Sequence, residues 1–162
     1  MSYFDDCFAK LIGHEGGYSN NPADPGGETM WGVTLKVARA NGYTGPMRSM
    51  GLDVAKGIYR ALYWDRCRCD DLPQGVAFDV FDAAVNSGPG QAARWLQRAV
   101  GVADDGVIGP VTLAAVRKLQ PGALRARYSG MRLDFMTQLS TWGTFGRGWA
   151  RRIAANLKEV GA

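Results

Sequence analysis

The chain has 162 residues and a formal net charge of +4, with 46% hydrophobic and 21% charged residues. This length can bury one hydrophobic core without metals or disulfides, and this composition excludes an intrinsically disordered chain. Its three cysteines, Cys7, Cys67 and Cys69, fit neither a disulfide framework nor a common zinc spacing. We therefore predict reduced thiols, with a functional thiol as the alternative.

The N-terminal residues carry Asp5 and Asp6 and lack the long apolar stretch of a signal peptide. No run of residues reaches the roughly 18 apolar positions of a membrane-spanning helix. We therefore predict a protein that is made in the cytoplasm and is not stably inserted in a membrane. If its target lies beyond the inner membrane, another protein must release it.

Hydrophobic periodicity predicts helices along most of the chain. The predicted helices cover residues 3–14, 34–41, 52–64, 74–86, 88–101, 110–119, 121–139 and 149–160. In the third of these, the spacing places Val54, Ile58, Leu62 and Tyr63 on the inner face. Glycine and proline content predicts a loop or small hairpin at 17–33 and a loop at 143–148. The expected fold class is therefore all-α or mainly α.

Positive charge is concentrated near the C-terminus. Residues 117–162 hold nine Lys or Arg and two acidic residues. Such a region is attracted to a polyanion, and nucleic acid, anionic lipid and bacterial cell wall all qualify. Arg147, Arg151 and Arg152 are candidates for contacts with wall polymers, and a solvated helical face is the equal alternative.

Most catalytic chemistries lack the residues they need. His14 is the only histidine, and no GxSxG turn accompanies it, which argues against a Ser-His-Asp arrangement. One histidine and scattered cysteines do not make a zinc site, and no phosphate-binding GxxxxGK[ST] loop is present. We predict no metal and no organic cofactor, so carboxylates remain as the candidate catalytic groups.

A group of polar residues follows the first predicted helix. Glu15 lies at the helix end, and Asp24 and Thr29 lie on the glycine-rich loop that follows. Cleavage of a glycosidic bond needs one carboxyl group that donates a proton and a second that activates water or attacks the sugar. Apolar neighbours such as Leu11 and Trp31 would keep Glu15 protonated, while Asp24 would stay ionised on its solvated loop. A surface glutamate followed by an ordinary turn is the alternative.

The sequence around these residues resembles known muramidases. The Glu-x8-Asp spacing is similar to that of phage-type lysozymes, although four residues rather than five separate Asp24 from Thr29. The strings HEGGY, N-x-PADPGGET and WGVT resemble glycoside hydrolase family 108, the N-acetylmuramidases of phage endolysins and secretion systems. The resemblance implies a lysozyme-like helical fold, with Glu15 as catalytic acid. It also implies cleavage of the β-1,4 bond between N-acetylmuramic acid and N-acetylglucosamine in peptidoglycan.

The second half of the chain carries its own resemblance. The strings FDAAVNSGPGQAARWLQRA and DGVIGPVTLAAV resemble the predicted peptidoglycan-binding part that follows the catalytic part in this family. We therefore expect a catalytic part at 1–90 and a helical binding part at 91–162, packed as one compact unit. The resemblance also implies action on the wall in the periplasm, with a holin as the partner for release.

Five further residues are candidates for contacts with the sugar, because aromatic faces pack on pyranose rings and amides bind N-acetyl groups. They are Tyr18, Trp31, Tyr63, Trp64 and Asn86. For the four aromatic residues the alternative is core packing, which we favour for Tyr63 and Trp64. For Asn86 the alternative is a cap at the C-terminus of a helix.

Three rival interpretations stand beside the hydrolase. A lytic transglycosylase would use the glutamate without a base and release an anhydro sugar. A non-catalytic module would bind the wall or assist secretion and keep the loop only as structure. A nucleic-acid binder is suggested by the basic C-terminal region alone, and the chain lacks any known reading motif. We therefore predict no nucleic-acid partner.

Overall fold

A computed structural model describes residues 2–13, 17–20 and 27–159. This part of the chain forms eight α-helices and one two-stranded antiparallel sheet. The elements are α1 (Tyr3–Ile12), β1 (Thr29–Met30), β2 (Val33–Thr34), α2 (Leu35–Ala40), α3 (Leu52–Tyr59), α4 (Gln74–Ser87), α5 (Pro89–Val100), α6 (Pro110–Val116), α7 (Pro121–Thr137) and α8 (Trp142–Leu157). The prediction of a mainly α fold with a small hairpin is confirmed. The chain divides into two compact units, Met1–Leu62 and Tyr63–Ala162.

In the first unit, α1 is fixed at its start and along its inner face. Ser2 caps the helix, since its hydroxyl accepts from the Asp5 backbone N–H while the Asp5 carboxylate accepts from the Ser2 N–H at 2.7 Å. This reciprocal arrangement satisfies two backbone donors at the helix start. The Phe8 ring packs edge to face on Tyr59 of α3, with 5.3 Å between ring centroids. Lys56 of α3 pairs with Asp5 at 2.8 Å.

Helix α3 differs from its prediction in length and in its buried face. It ends at Tyr59, and a wider π-helical turn, Arg60–Trp64, follows it. Its buried residues are Ala55, Ile58 and Tyr59, while Val54 is 39% exposed. The inward placement of Val54 was therefore wrong, because the buried stripe lies one position further around the helix.

Helix α8 also corrects a prediction. Residues 143–148 were expected to form a loop, but they belong to the first turns of α8. The glycine at 146 has a packing reason, since a Cβ there would lie 2.6 Å from the Trp142 ring. Gly146 thus lets an indole lie directly on the helix backbone, a role that composition alone does not distinguish from a loop.

In the second unit, α4 is buried on almost every side. Nine consecutive residues, 76–84, are buried, and α4 packs against α5 and α7. Two of the nine are acidic. Asp79 accepts from the Arg125 Nε of α7 at 2.7 Å, and Asp82 accepts from Arg132 of α7 and Arg152 of α8, each at 2.6 Å. Burial raises the pKa of Asp79, and the hydrogen bonds and charge of Arg125 oppose that shift.

The three cysteine side chains are buried, and none forms a disulfide. Burial raises the pKa of the Cys67 thiol to about 12, so this group carries almost no thiolate near neutral pH. Within the described ranges, no helix combines the length and the apolar character needed to cross a membrane.

The buried ion pairs of α4 lead to a stability prediction. Asp82→Asn leaves the Arg132 guanidinium, whose side chain is 3% exposed, buried without its counter-charge. We expect a loss of about 3–5 kcal/mol in the free energy of unfolding, measured by denaturant titration. Asp104→Asn is the matched control, because it removes a pair with Arg98 whose side chains are 40% and 48% exposed. Its effect on the free energy of unfolding should be small. Equal losses in the two variants would contradict the larger cost expected for the buried pair.

Candidate active site

Two of the three predicted catalytic residues lie outside the described residues. Glu15 belongs to the stretch 14–16 and Asp24 to the stretch 21–26, and the residues that flank them form the described part of the candidate site. Helix α1 leads to the first stretch, and the hairpin of β1 and β2 follows the second.

The hairpin places Trp31 in an unusual backbone conformation. Strands β1 and β2 pair Thr29 with Thr34 and Met30 with Val33, which leaves Trp31 and Gly32 as a two-residue turn. Both turn residues have positive φ, 54° for Trp31 and 75° for Gly32. That is the pattern of a type I′ turn, where Asn-Gly is the usual pair and a bulky side chain is disfavoured.

Contacts from two segments hold Trp31 in this conformation. The indole Nε1–H donates to the Met50 carbonyl at 2.9 Å, and the Trp31 carbonyl accepts from the Tyr59 hydroxyl at 3.2 Å. The same hydroxyl would clash with a Cβ on Gly32, and the positive φ of Gly32 also favours glycine at that position. These contacts give the indole a fixed position and leave it partly exposed.

Trp31 forms one wall of a pocket of ≈ 440 Å³ in the first unit. Its lining is mainly apolar and includes the last turn of α1. The lining residues are Asp5, Phe8, Ala9, Ile12, Gly13, Trp31, Leu52 and Lys56. The hydrogen bond from Lys56 holds the pKa of Asp5 well below its usual range. No sequence pattern indicated Leu52 and Lys56, which reach the pocket from α3 through tertiary packing.

Thr29 lies in strand β1 of the hairpin, and Tyr18 lies on the segment that pairs with this strand. The Thr29 backbone pairs with Ser19 through hydrogen bonds of 2.9 and 2.8 Å, and its hydroxyl is 3.5 Å from the Gly27 carbonyl. Arg48 places its guanidinium 4.1 Å from the centroid of the Tyr18 ring, a cation–π geometry that covers one ring face. Sequence reasoning missed Arg48, because nothing in its neighbourhood distinguishes it.

The remaining predicted sugar contacts belong to the second unit. Trp64 is 1% exposed, its Nε1–H donates to Asp70 at 2.9 Å, and its ring packs on Phe81. This burial supports the core alternative for Trp64. Tyr63 is partly exposed, and burial raises its pKa. Asn86 donates from its amide to the Asp82 carbonyl at 2.6 Å, as a residue that closes the last turn of α4 does.

The three C-terminal arginines have different environments. Arg152 is bound to Asp82, whereas Arg147 and Arg151 are exposed on α8. Across the part of the chain that the structure describes, no three His, Cys, Asp or Glu side chains are grouped as metal ligands would be.

A mainly helical fold with a small hairpin, and a pocket at the end of the first helix, match the architecture of a glycoside hydrolase of lysozyme type. Comparison with known proteins gives the family. The model of the glycosyl hydrolase 108 family matches residues 8–88, and a model described as a predicted peptidoglycan domain matches residues 91–154. The chain belongs to the glycosyl hydrolase 108 family, and it is a muramidase-type enzyme that hydrolyses peptidoglycan.

A solved structure supports the same assignment. The structure of SagA from Brucella abortus is similar over 97% of this chain and 92% of its own, with 37% sequence identity and a TM-score of 0.84. A search of curated proteins gave no match.

The family matches and the compact units divide the chain differently. The first match includes α4, at residues 74–87, but α4 packs with the C-terminal helices of the second unit. The division into a catalytic part at 1–90 and a binding part at 91–162 therefore stays a prediction.

Trp31 gives a test that separates function from stability. Trp31→Asn replaces a strained residue with the one that type I′ turns prefer, which compensates for the lost burial. We expect a thermal midpoint close to that of the wild type and about a tenfold loss of peptidoglycan hydrolysis, because the pocket loses its aromatic wall. Trp31→Phe keeps a ring but loses the hydrogen bond to Met50. Its activity should fall between those of the wild type and Trp31→Asn. Full activity in a folded Trp31→Asn variant would show that Trp31 does not contribute to the active site.

Proposed function

We propose that Glu15 is the general acid that protonates the leaving oxygen when the β-1,4 bond after N-acetylmuramic acid is cleaved. The observation that carries the proposal is the pocket shared by Ile12, Gly13 and Trp31. Two residues of extended chain span at most about 7 Å, so a side chain two positions after Gly13 is within reach of this pocket. No other acidic residue follows α1 so closely.

The lining of the pocket suits that role. A general acid must stay protonated near neutral pH, and desolvation by apolar neighbours raises the pKa of a carboxyl group. Phe8, Ile12, Trp31 and Leu52 give the pocket an apolar lining of this kind. Leu11, which the sequence suggested as a neighbour, does not line the pocket, and Ile12 takes its place.

Asp24 and Thr29 are proposed to position the water that attacks the sugar. Thr29 suits this task, because backbone hydrogen bonds to Ser19 hold its strand in place. A carboxylate that activates water gives inversion at the anomeric carbon and needs about 6.5–9.5 Å between the two carboxyl groups. A nucleophilic Asp24 would need about 5–5.5 Å and would give retention. Tyr18 and Tyr63 are proposed as further sugar contacts.

Three finer points also belong to this proposal. They are the boundary between the catalytic and binding parts at residue 90, action on the wall in the periplasm, and release across the inner membrane through a holin. The family resemblance implies each of them, and the match of a peptidoglycan domain to residues 91–154 supports the boundary.

The first test replaces the proposed acid. Glu15→Gln keeps the shape of the side chain but removes the proton donor, so release of reducing ends from purified peptidoglycan should fall by about 100- to 10,000-fold. Asp6→Asn is the control, since it removes an exposed carboxyl from α1 and should keep wild-type activity. Circular dichroism should show that both variants are folded.

Other outcomes of this test point to the rival functions. A Glu15→Gln variant with wild-type activity would refute the role of Glu15. Anhydro sugars in place of reducing ends would indicate a lytic transglycosylase. A folded wild type that binds several wall types but releases no sugar from any of them would indicate a non-catalytic binding module.

The second test concerns Asp24 and Thr29. Proton NMR of the first products should show the α-anomer if water attacks the β-linked sugar directly, and the β-anomer if a covalent intermediate forms. We expect the α-anomer from the wild type, and about a 100-fold loss of rate in Asp24→Asn. Thr29→Ser should keep most of the activity and Thr29→Val should not, because only serine keeps the hydroxyl. Equal rates in the two Thr29 variants would exclude a role for that hydroxyl.

A further inference from the structure

Three aromatic side chains form a partly exposed stripe on α8. We call Trp142, Phe145 and Trp149 the aromatic stripe. The Trp142 and Trp149 ring centroids are 6.2 Å apart, and those of Phe145 and Trp149 are 5.8 Å apart. Phe145 is 53% exposed, and both tryptophans are partly exposed. A contiguous group of exposed aromatic rings on a small protein is typical of a binding surface.

The helix backbone shapes this stripe. Positions 142, 145 and 149 follow the i, i+3, i+7 spacing that places side chains on one face of a helix. Gly146 lies between them, and its missing Cβ lets the Trp142 ring lie against the backbone, since a Cβ would be 2.6 Å from the ring. The result is a row of neighbouring rings rather than a single protruding side chain.

A fixed positive charge continues the same row. Arg152 lies three residues after Trp149, so the row from Trp142 to Arg152 is about 15 Å long at the rise of an α-helix. Its Nε and Nη2 both bind Asp82 at 2.6 Å, while its side chain is 39% exposed. The buried aspartate therefore holds the guanidinium in one orientation and leaves its other edge open to solvent.

We propose that the aromatic stripe and Arg152 bind the glycan strand of peptidoglycan, in addition to the pocket that contains Trp31. Aromatic faces pack on pyranose rings, and a guanidinium pairs with a carboxylate, which peptidoglycan carries on its lactyl and stem-peptide groups. The stripe lies within residues 91–154, the part that matches a predicted peptidoglycan domain. The inference rests on the proposed function only in taking peptidoglycan as the substrate.

A glycan strand fits this surface better than a lipid surface. A helix that lies on a membrane needs a continuous apolar face that is free to enter the lipid. On α8 no such free face is available, because Gly146 and Ile153, which lie beside the stripe, are buried in the protein. Arg152 is also held by Asp82 and is not a long free side chain that could reach lipid headgroups.

The test measures binding and catalysis separately. Sedimentation with insoluble purified peptidoglycan gives the bound fraction, and turnover of soluble glycan fragments reports on the pocket. Two variants change the stripe, the double variant Phe145→Ala/Trp149→Ala and the milder Phe145→Ser. Val111→Ser is the matched control, because Val111 of α6 is 72% exposed and lies outside the stripe. Circular dichroism shows which variants fold, and Phe145→Ser carries the test if the double variant does not.

We expect the double variant to bind insoluble peptidoglycan about tenfold more weakly, with a several-fold loss in Phe145→Ser and none in Val111→Ser. Turnover of soluble fragments should stay within about twofold of wild type in all three, since the pocket is untouched. Peptidoglycan binding at the wild-type level in both folded stripe variants would overturn the proposal. The proposal would also be overturned if the stripe variants lost binding only to vesicles of phosphatidylethanolamine and phosphatidylglycerol, or only to duplex DNA.

These readouts also separate the stripe from the proposed hydrolase. If wild type turns over no soluble fragment but its binding to peptidoglycan depends on the stripe, the stripe proposal stands and the proposed catalytic role of Glu15 falls. If turnover is normal and binding does not depend on the stripe, the stripe proposal falls and the proposed hydrolase stands.

Discussion

The second unit depends on two carboxylates inside a helix that is otherwise almost wholly apolar and buried. Moving Asp79 and Asp82 from water into the interior costs several kcal/mol for each ion, and the cost is offset only if cations meet them with good geometry. Arg125 and Arg132 come from α7, and Arg152 comes from α8. The ion pairs are satisfied only when α7 and α8 lie against α4 in one register. The ion pairs therefore select how α7 and α8 pack on α4, while the apolar side chains around them supply most of the stability.

These pairs also change how the charge of the chain should be understood. The basic C-terminal region looks like a polyanion-binding surface when charges are counted along the sequence. Three of its nine cations, Arg125, Arg132 and Arg152, are bound to acidic residues of α4, which lies outside that region. The charge available to an external partner is correspondingly smaller. Recognition of a wall polymer then depends less on net charge and more on shaped surfaces such as the aromatic stripe, where Arg152 acts because Asp82 orients it.

Local signals predicted the features of the fold that are decided locally. Pro89, Pro110 and Pro121 each begin a helix, because a first-turn proline has the required φ and its missing N–H has no partner to lose. Thr34 caps α2, since its hydroxyl accepts from the Val37 N–H at 3.3 Å, a role that threonine commonly has at a helix start. The start of α8 could not be predicted in this way. Its glycines are indistinguishable from loop glycines until the Trp142 ring is seen on Gly146.

The candidate site also depends on contacts that local sequence signals do not predict. The motif residues identified the family, but the pocket is completed by Leu52 and Lys56, which reach it only through tertiary packing. The Met50 carbonyl, which holds the Trp31 indole, is also distant in sequence. Trp31 itself contradicts the local rule, since a type I′ turn prefers asparagine where this chain has its largest side chain. Backbone strain persists only where the surroundings over-determine the conformation, and such strain is concentrated at functional sites. Here the hydrogen bonds from the indole to the Met50 carbonyl and from the Tyr59 hydroxyl to the Trp31 carbonyl hold the strained conformation. A turn built only for stability would need neither, so the strain at Trp31 is itself an argument that the indole is placed for a ligand.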